Sequence, residues 1–219
     1  MAETAKRSVF LVDDHPLLRE SLKTLVNQQP DLRICDEAAD ARTALARIET
    51  ARPDAIVMDI SLKESSGLDL LKSVKSRMPQ TAILMLSMHD EKLYAERAIR
   101  AGARGYATKE ETPARIIEAI RQILAGRIWL SEELAQRLAS KQARRPLSSS
   151  PLHDLSDREL EVFNMLGEGL ETREVARALD VSIKTVQAYC ARIKQKLGLD
   201  TAGELLRAAA SWHEGQASS

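Results

Sequence analysis

Cysteine is nearly missing from this chain. Cys35 and Cys190 are its only two, far apart and in neither a C-x-x-C nor a Cys/His ligand spacing. That excludes a disulfide scaffold and a zinc site, and predicts two small buried hydrophobes. Long apolar runs are missing too. Nothing approaches the roughly 18 consecutive apolar residues of a membrane span, and the opening MAETAKRSVF lacks the apolar core of a secretory signal. A cytoplasmic protein with no membrane partner is therefore expected. Aromatics make up only 3% of the residues, and Trp129 and Trp212 read as packing anchors near the ends of their domains rather than as a cofactor box. Net charge is absent as well, with 32 basic residues against 32 acidic ones, so the overall balance does not announce a nucleic-acid partner. Its distribution says more. Residues 127–150 carry five basic and two acidic residues, whereas residues 151–219 carry eight and eleven.

What is present is enough apolar material to fold. With 219 residues, of which 44% are hydrophobic, two compact units are expected. Residues 1–126 alternate short apolar runs, at 9–12, 32–34, 55–58, 82–86 and 105–107, with amphipathic segments. Leu18, Leu22, Leu25 and Val26 recur at helical spacing in the first such segment, and Ile116, Ile117, Ile120, Ile123 and Leu124 in the last. Near-continuous apolar strands between helices predict an α/β doubly wound, five-stranded parallel sheet covered on both faces. A linker over 127–151 follows, with a polar helix predicted over 131–145 before RRPLSSSPLHD breaks the periodicity. Residues 152–219 read as a small all-α unit with helices at 157–167, 172–179, 183–197 and 201–212. Ser156 is its first N-cap, Glu159 closes a capping box, and Leu155 staples onto Leu160.

In a doubly wound sheet the C-terminal strand ends share one edge, where ligands bind at the switch in strand order. The first strand ends at Asp13 and Asp14 (VFLVDDH), the third at Asp59 (IVMDI) and the fourth at Ser87 (LMLSMHD), while Lys109 follows the fifth (GYATKE). A single strand-end aspartate commonly does no more than cap a turn. Three carboxylates, a hydroxyl and an ammonium converging on one edge point instead to a hard divalent cation and a phosphoryl group. Mg²⁺ suits Asp14 and Asp59 as direct ligands and Asp13 through water. Asp59 is the best-placed nucleophile, with Ser87 and Lys109 able to meet phosphoryl oxygens. His15, beside Pro16, is expected as a helix-start polar residue.

The set DDH, IVMDI, LSMHD and GYATK resembles the receiver domain of bacterial two-component response regulators over about residues 7–126. The resemblance implies that Asp59 accepts a phosphoryl group from a sensor histidine kinase. It also implies that Mg²⁺ is held by Asp14, Asp59 and the backbone carbonyl of Ser61. Ser87 and Tyr106 become a switch pair, the ring turning inward as the hydroxyl moves to the phosphoryl group. Four residues after the acceptor the family usually has proline and this chain has Lys63, which predicts a more mobile loop over 61–66.

In the helical unit, Val186, Cys190, Ile193 and Leu197 make one apolar stripe at spacings of 4, 3 and 4. The other face bears Lys184, Gln187, Ala188, Ala191 and Gln195, small and polar enough to enter a DNA groove. Residues 182–197 hold Lys184, Arg192, Lys194 and Lys196 and no acid. A preceding helix with Val175, Ala176 and Leu179, a tight turn over 180–182 and Ser182 as N-cap complete a helix-turn-helix. The run from LSDREL to KQKLGL resembles the LuxR/NarL-type DNA-binding domain over roughly 152–212. Many relatives have Lys and His where this chain has Gln187 and Tyr189, so base preference does not carry over. Gln187 suits adenine, and Tyr189 suits support of the helix or a phosphate.

These readings point to a non-enzymatic, phosphorylation-controlled transcriptional regulator. Its expected contacts with double-stranded promoter DNA are Lys184, Thr185, Gln187, Ala188, Arg192, Lys194 and Lys196. A homodimer is expected on phosphorylation, with Leu205 and Leu206 of the last helix as a candidate contact. Two alternatives stay open on sequence alone: a metal-dependent phosphatase passing through an aspartyl-phosphate, and a phosphorylation-independent receiver serving only to dimerise.

Overall fold

A computed structural model describes residues 5–62, 65–87, 91–132, 134–136 and 151–217. The chain divides into two compact units, residues 1–145 and 146–219. In the first, strands β1 (Arg7–Val12), β2 (Leu32–Ala38), β3 (Ala55–Asp59), β6 (Ala82–Ser87) and β7 (Gly105–Thr108) form a five-stranded sheet in the order β2-β1-β3-β6-β7. Every pairing in it is parallel. The remaining elements of the unit are α1 (Pro16–Asn27), α2 (Ala41–Ala51), the two-residue strands β4 (Ser61–Leu62) and β5 (Ser65–Ser66), α3 (Gly67–Arg77), α4 (Glu91–Arg100) and α5 (Pro113–Leu124).

The expected alternation between sheet faces is visible in the core. Val9 and Leu11, Ala55 and Val57, Leu84 and Leu86 pack with Leu22 and Val26 of α1 and with Ile116, Ile117, Ile120 and Ile123 of α5. Strand side chains alternate faces, so Phe10, Val12, Ile56, Met58, Ile83 and Met85, all buried, face the side covered by α2, α3 and α4. Burial on both faces explains why the strands read as continuous apolar runs. Helix starts follow local chemistry. Pro16 and Pro113 open α1 and α5 at positions where a missing N–H costs nothing, and Asp40 caps α2 by accepting from the Thr43 N–H at 2.8 Å.

Chain order reverses between β1 and β3, so the switch point lies between the ends that carry Asp13 and Asp59. The segment 61–66, expected as a mobile loop, is opened and closed by antiparallel pairing of Ser61 with Ser66 and Leu62 with Ser65; Lys63, on which that expectation rests, lies outside the described residues. The first unit also runs past Gly126, because Trp129 continues the sheet edge: Tyr106 N–H donates to the Trp129 carbonyl and Trp129 N–H to the Arg104 carbonyl, both at 3.0 Å. Of the helix expected over 131–145, the described part begins after Ser131, whose hydroxyl accepts from the Leu134 N–H. The rest, and the linker to residue 150, lie outside the described residues.

The second unit contains a short 3₁₀ turn (Pro151–Asp154) and helices α6 (Asp157–Gly167), α7 (Thr172–Ala178), α8 (Ile183–Leu197) and α9 (Ala202–Ala217). The Ser156/Glu159 capping box is complete, and Leu155 and Leu160 are both buried. The last helix runs five residues beyond the expected end at 212. It approaches α6 closely at Gly167, where a Cβ would meet the Ala209 carbonyl at 2.6 Å. Cys35 and Cys190 are half-buried rather than buried, since one lies on the edge strand β2 and the other flanks the apolar stripe of α8. Burial pushes both thiols up in pKa, which disfavours the thiolate.

Candidate functional site

The edge residues named from sequence converge. Asp59 at the end of β3 and Asp13 just past β1 are both 2% exposed, and Ser87 and Tyr106 are fully buried. The Lys109 ammonium bridges the two acids, 2.7 Å from Asp59 Oδ2 and 2.8 Å from Asp13 Oδ2. Asp59 Oδ1 accepts from the Ser61 N–H at 3.1 Å, and Asp13 Oδ1 accepts from the His15 N–H at 2.7 Å. Asp14 joins from the same turn. Ligand atoms of Asp13, Asp14, His15 and Asp59 all lie within 4.8 Å of one another.

The electrostatics are those of a site that lacks positive charge. Burial pushes Asp59 up to about 7, with the Asp13 charge adding to the shift and Lys109 opposing it. Burial also works against the charge on Lys109, but the two carboxylates outweigh it and raise its pKa. Oδ2 of Asp13 and Oδ1 of Asp14 are buried, with the Lys109 ammonium and the His15 ring each at 2.8 Å from one of them. Three carboxylates crowded around one ammonium remain short of positive charge, and a hard cation between them removes that cost. The donor set therefore fits a divalent metal.

His15 occupies the N-cap of α1 without a side-chain capping bond. Its ring turns to Asp14 instead, a contact that sequence spacing did not suggest.

In the second unit, Ser182 caps α8 by accepting from the Thr185 N–H at 3.1 Å, and the two hydroxyls lie 2.8 Å apart. Val186 and Ile193 are fully buried, whereas Cys190 and Leu197 of the expected stripe are half-buried. Lys184, Gln187, Ala188, Ala191 and Arg192 are exposed, and Thr185 is half-buried. Arg192 lies over the Tyr189 ring at 5.8 Å, so Tyr189 supports a cation on the helix surface. The preceding turn is tight because Asp180 adopts a positive φ of 52°. Two lysines grouped with the DNA-facing set are engaged within the unit. Lys196 pairs with Glu159 at 2.7 Å, and Lys194 reaches the Asp200 carbonyl at 3.4 Å. Burial raises the pKa of Glu159, but bonds from Lys196 and Ser156 outweigh it and hold the carboxyl below its ordinary value. Lys196 thus ties α8 to the capping box of α6, a link between residues 37 positions apart that has no periodic signature.

Comparison with known proteins agrees with both halves. Residues 9–121 match the response regulator receiver domain family, and residues 153–209 match the bacterial regulatory proteins of the luxR family. The chain is similar to the DNA-binding transcriptional activator DevR/DosR of Mycobacterium tuberculosis, 34% identical over 88% of each chain. It is also similar to the fimbriae Z protein of Salmonella typhimurium, 36% identical over 94% of this chain and 97% of that one. A crystal structure of a LuxR-family two-component response regulator from Aurantimonas sp. superposes with a TM-score of 0.59 at 35% identity, covering 64% of this chain and 100% of the other. Among the described residues no helix is long and apolar enough to cross a membrane. These are transcription-factor families rather than enzymes, which sets aside the phosphatase reading. The chain belongs to the LuxR/NarL family of two-component response regulators and is a DNA-binding transcriptional regulator.

Proposed function

We propose that the acidic site is a phospho-acceptor pocket in which Asp59 takes a phosphoryl group from the phosphohistidine of a sensor histidine kinase. Asp13, Asp14, Asp59 and the Ser61 carbonyl would hold Mg²⁺. Bound there, the cation neutralises the crowded carboxylates and the charge on the transferred group. A carboxylate oxygen of Asp59 attacks phosphorus while the bond to the imidazole nitrogen breaks. Lys109 then exchanges its contact with Asp59 Oδ2 for a phosphoryl oxygen, and the Ser87 hydroxyl donates to another. The Tyr106 ring is already buried, so movement of Ser87 to the phosphoryl group would favour this inward ring over an outward one, and this biases the unit between two states. The observation that supports this reading most directly is the Lys109 ammonium held within 2.8 Å of two buried carboxylates at the sheet switch point.

In the same reading α8 is the recognition helix. Lys184, Thr185, Gln187 and Ala188, near its start, meet base edges, while Arg192 and Lys194 serve the phosphate backbone. Lys196 contributes through its tie to Glu159. Gln187→Ala is expected to relax preference at one position of each half-site, costing about 1–3 kcal/mol if the contact to adenine is bidentate. Binding-site selection with the variant checks this, and an identical selected motif would remove Gln187 from the reading set.

The second unit carries three more acidic than basic residues, so away from α8 it repels DNA and one copy binds weakly. Phosphorylation adds about −1.5 to −2 charges and cannot strengthen DNA attraction directly. It acts through shape, and pairing of two copies on an inverted repeat doubles the favourable helix contacts. Leu206, 49% exposed on α9, is a candidate contact between copies; Leu205 is buried within the unit and is not. Sedimentation and DNA titration of the full chain, with and without a phosphate mimic and Mg²⁺, test the proposal. A dimer and tighter inverted-repeat binding are expected with the mimic. Identical assembly and binding in both conditions would leave the receiver as a phosphorylation-independent dimerisation module.

A further inference from the structure

The turn that bears Asp13 and Asp14 is held by a side chain outside the acceptor set. Arg19 lies near the N-terminus of α1, whose first turn has no acidic residue and where the helix macrodipole disfavours a cation. Its side chain is nonetheless only 16% exposed. Nη1 donates to the Asp13 carbonyl at 2.6 Å, and Nε donates to Glu37 Oε1 at 3.2 Å. Lys23 closes the chain of contacts at 3.2 Å from Glu37 Oε2. Burial works against the Glu37 charge, but Arg19 and Lys23 together hold its carboxyl below the ordinary value, so it stays an anionic anchor at the end of β2. The backbone of Arg19 adds to the hold, its N–H donating to the His15 carbonyl at 3.1 Å.

We propose that Arg19 is a positioning residue for the cation site: anchored by Glu37, it clamps the Asp13 carbonyl and so sets how the Asp13 and Asp14 carboxylates face Asp59. The inference rests on the reading of the acidic cluster as a Mg²⁺ and phosphoryl site. Its physical basis is the rigidity of the peptide unit. The Asp13 carbonyl and the Asp14 N–H share one plane, so fixing the carbonyl fixes the direction in which Asp14 leaves the turn. Mg²⁺ demands near-octahedral geometry, so a loosened turn lowers affinity although every ligand remains. Outer partners of metal ligands typically matter by 10–100-fold in affinity.

Calorimetric Mg²⁺ titration of the full chain, with phosphorylation by a small phosphodonor measured across Mg²⁺ concentrations, tests it. Arg19→Gln is expected to bind Mg²⁺ about tenfold more weakly. Its half-saturating Mg²⁺ in phosphorylation should rise by the same factor, while the rate at saturating Mg²⁺ stays within about twofold of the parent. Arg19→Lys, which keeps the charge but loses the guanidinium fork that holds two partners at once, should recover part of the affinity. Arg121→Gln is the structural control: it removes an ion pair to Asp31 of 2.7 Å on the same unit and should leave Mg²⁺ affinity unchanged. Equal Mg²⁺ affinity in Arg19→Gln and the parent overturns the proposal, whatever happens to thermal stability. So does an equal loss in Arg121→Gln, which would mark a general effect of stability. If Arg19→Gln does not fold, Glu37→Gln decides, weaker Mg²⁺ binding supporting the clamp and unchanged binding refuting it. Failure of the parent chain itself to bind Mg²⁺ or gain phosphate would overturn the pocket reading, and the clamp with it.

Discussion

Asp59→Asn is expected to abolish phosphorylation altogether, and the parent chain is expected to gain one phosphoryl group from a small phosphodonor and Mg²⁺. The amide keeps the shape of the carboxylate and its carbonyl can still accept from the Ser61 N–H, so the end of β3 stays in place. Lys109 retains Asp13 at 2.8 Å as a partner, so no buried ammonium is stranded. What is lost is the anionic oxygen that attacks phosphorus, and no neighbour replaces it. Asp13 is already engaged by Lys109 and by the His15 N–H, while Asp14 sits beside the His15 ring. Asp14→Ala offers the contrast. It leaves the nucleophile but removes a metal-facing oxygen, so Mg²⁺ affinity and phosphorylation rate should fall together, by at least about tenfold. Intact-protein mass measurement reads both variants. Phosphate uptake by Asp59→Asn at the parent level would move the acceptor elsewhere, and an unchanged Asp14→Ala would take Asp14 out of the metal site.

The acidic cluster was legible from sequence because its members sit where strands must end. A buried sheet excludes charge from strand interiors, so Asp13, Asp14 and Asp59 stand out as soon as the apolar runs are marked, and topology alone brings them to one edge. The helix caps were legible for a similar reason. Ser156 with Glu159 and Ser182 with Thr185 are contacts three residues apart, within the reach of local pattern. The Lys196–Glu159 pair and the grip of Arg19 on the Asp13 carbonyl were not. Each joins residues on different elements, and a charged side chain near a helix end reads as solvated until its partner is seen. For Arg19 one signal was available, a cation in the first turn of a helix, against the dipole. The pairing across 61–66 escaped for another reason: two-residue strands have no alternation to detect.

Gly67→Ala is expected to damage the acceptor loop more than any other single-methyl change near the site. Nothing in its sequence context marks Gly67 as special, and its backbone does not adopt a positive φ. The constraint is proximity. A Cβ at this position would lie 2.0 Å from the carbonyl oxygen of Asp59 and 2.9 Å from Cα of Ile60. Both obstacles are backbone, so no side chain can swing aside, and the start of α3 or the end of β3 must move. The Gly67 N–H also donates to the Ile60 carbonyl at 2.7 Å, and Ser66 caps the same helix by accepting from the Leu68 N–H at 3.2 Å. Displacement would strain these bonds together and turn the Asp59 carboxylate away from Lys109. Overpacking of this kind costs about 1–3 kcal/mol and more where the backbone cannot yield, so a loss near or above about 3 kcal/mol is expected. Urea unfolding of the full chain, with phosphodonor labelling of the folded fraction, measures both effects. The unfolding midpoint of the first unit should drop clearly and the remaining folded protein should label slowly. Parent-like stability with parent-like labelling would mean that the end of β3 yields without cost, and that the close approach of α3 to the acceptor does not hold Asp59 in position.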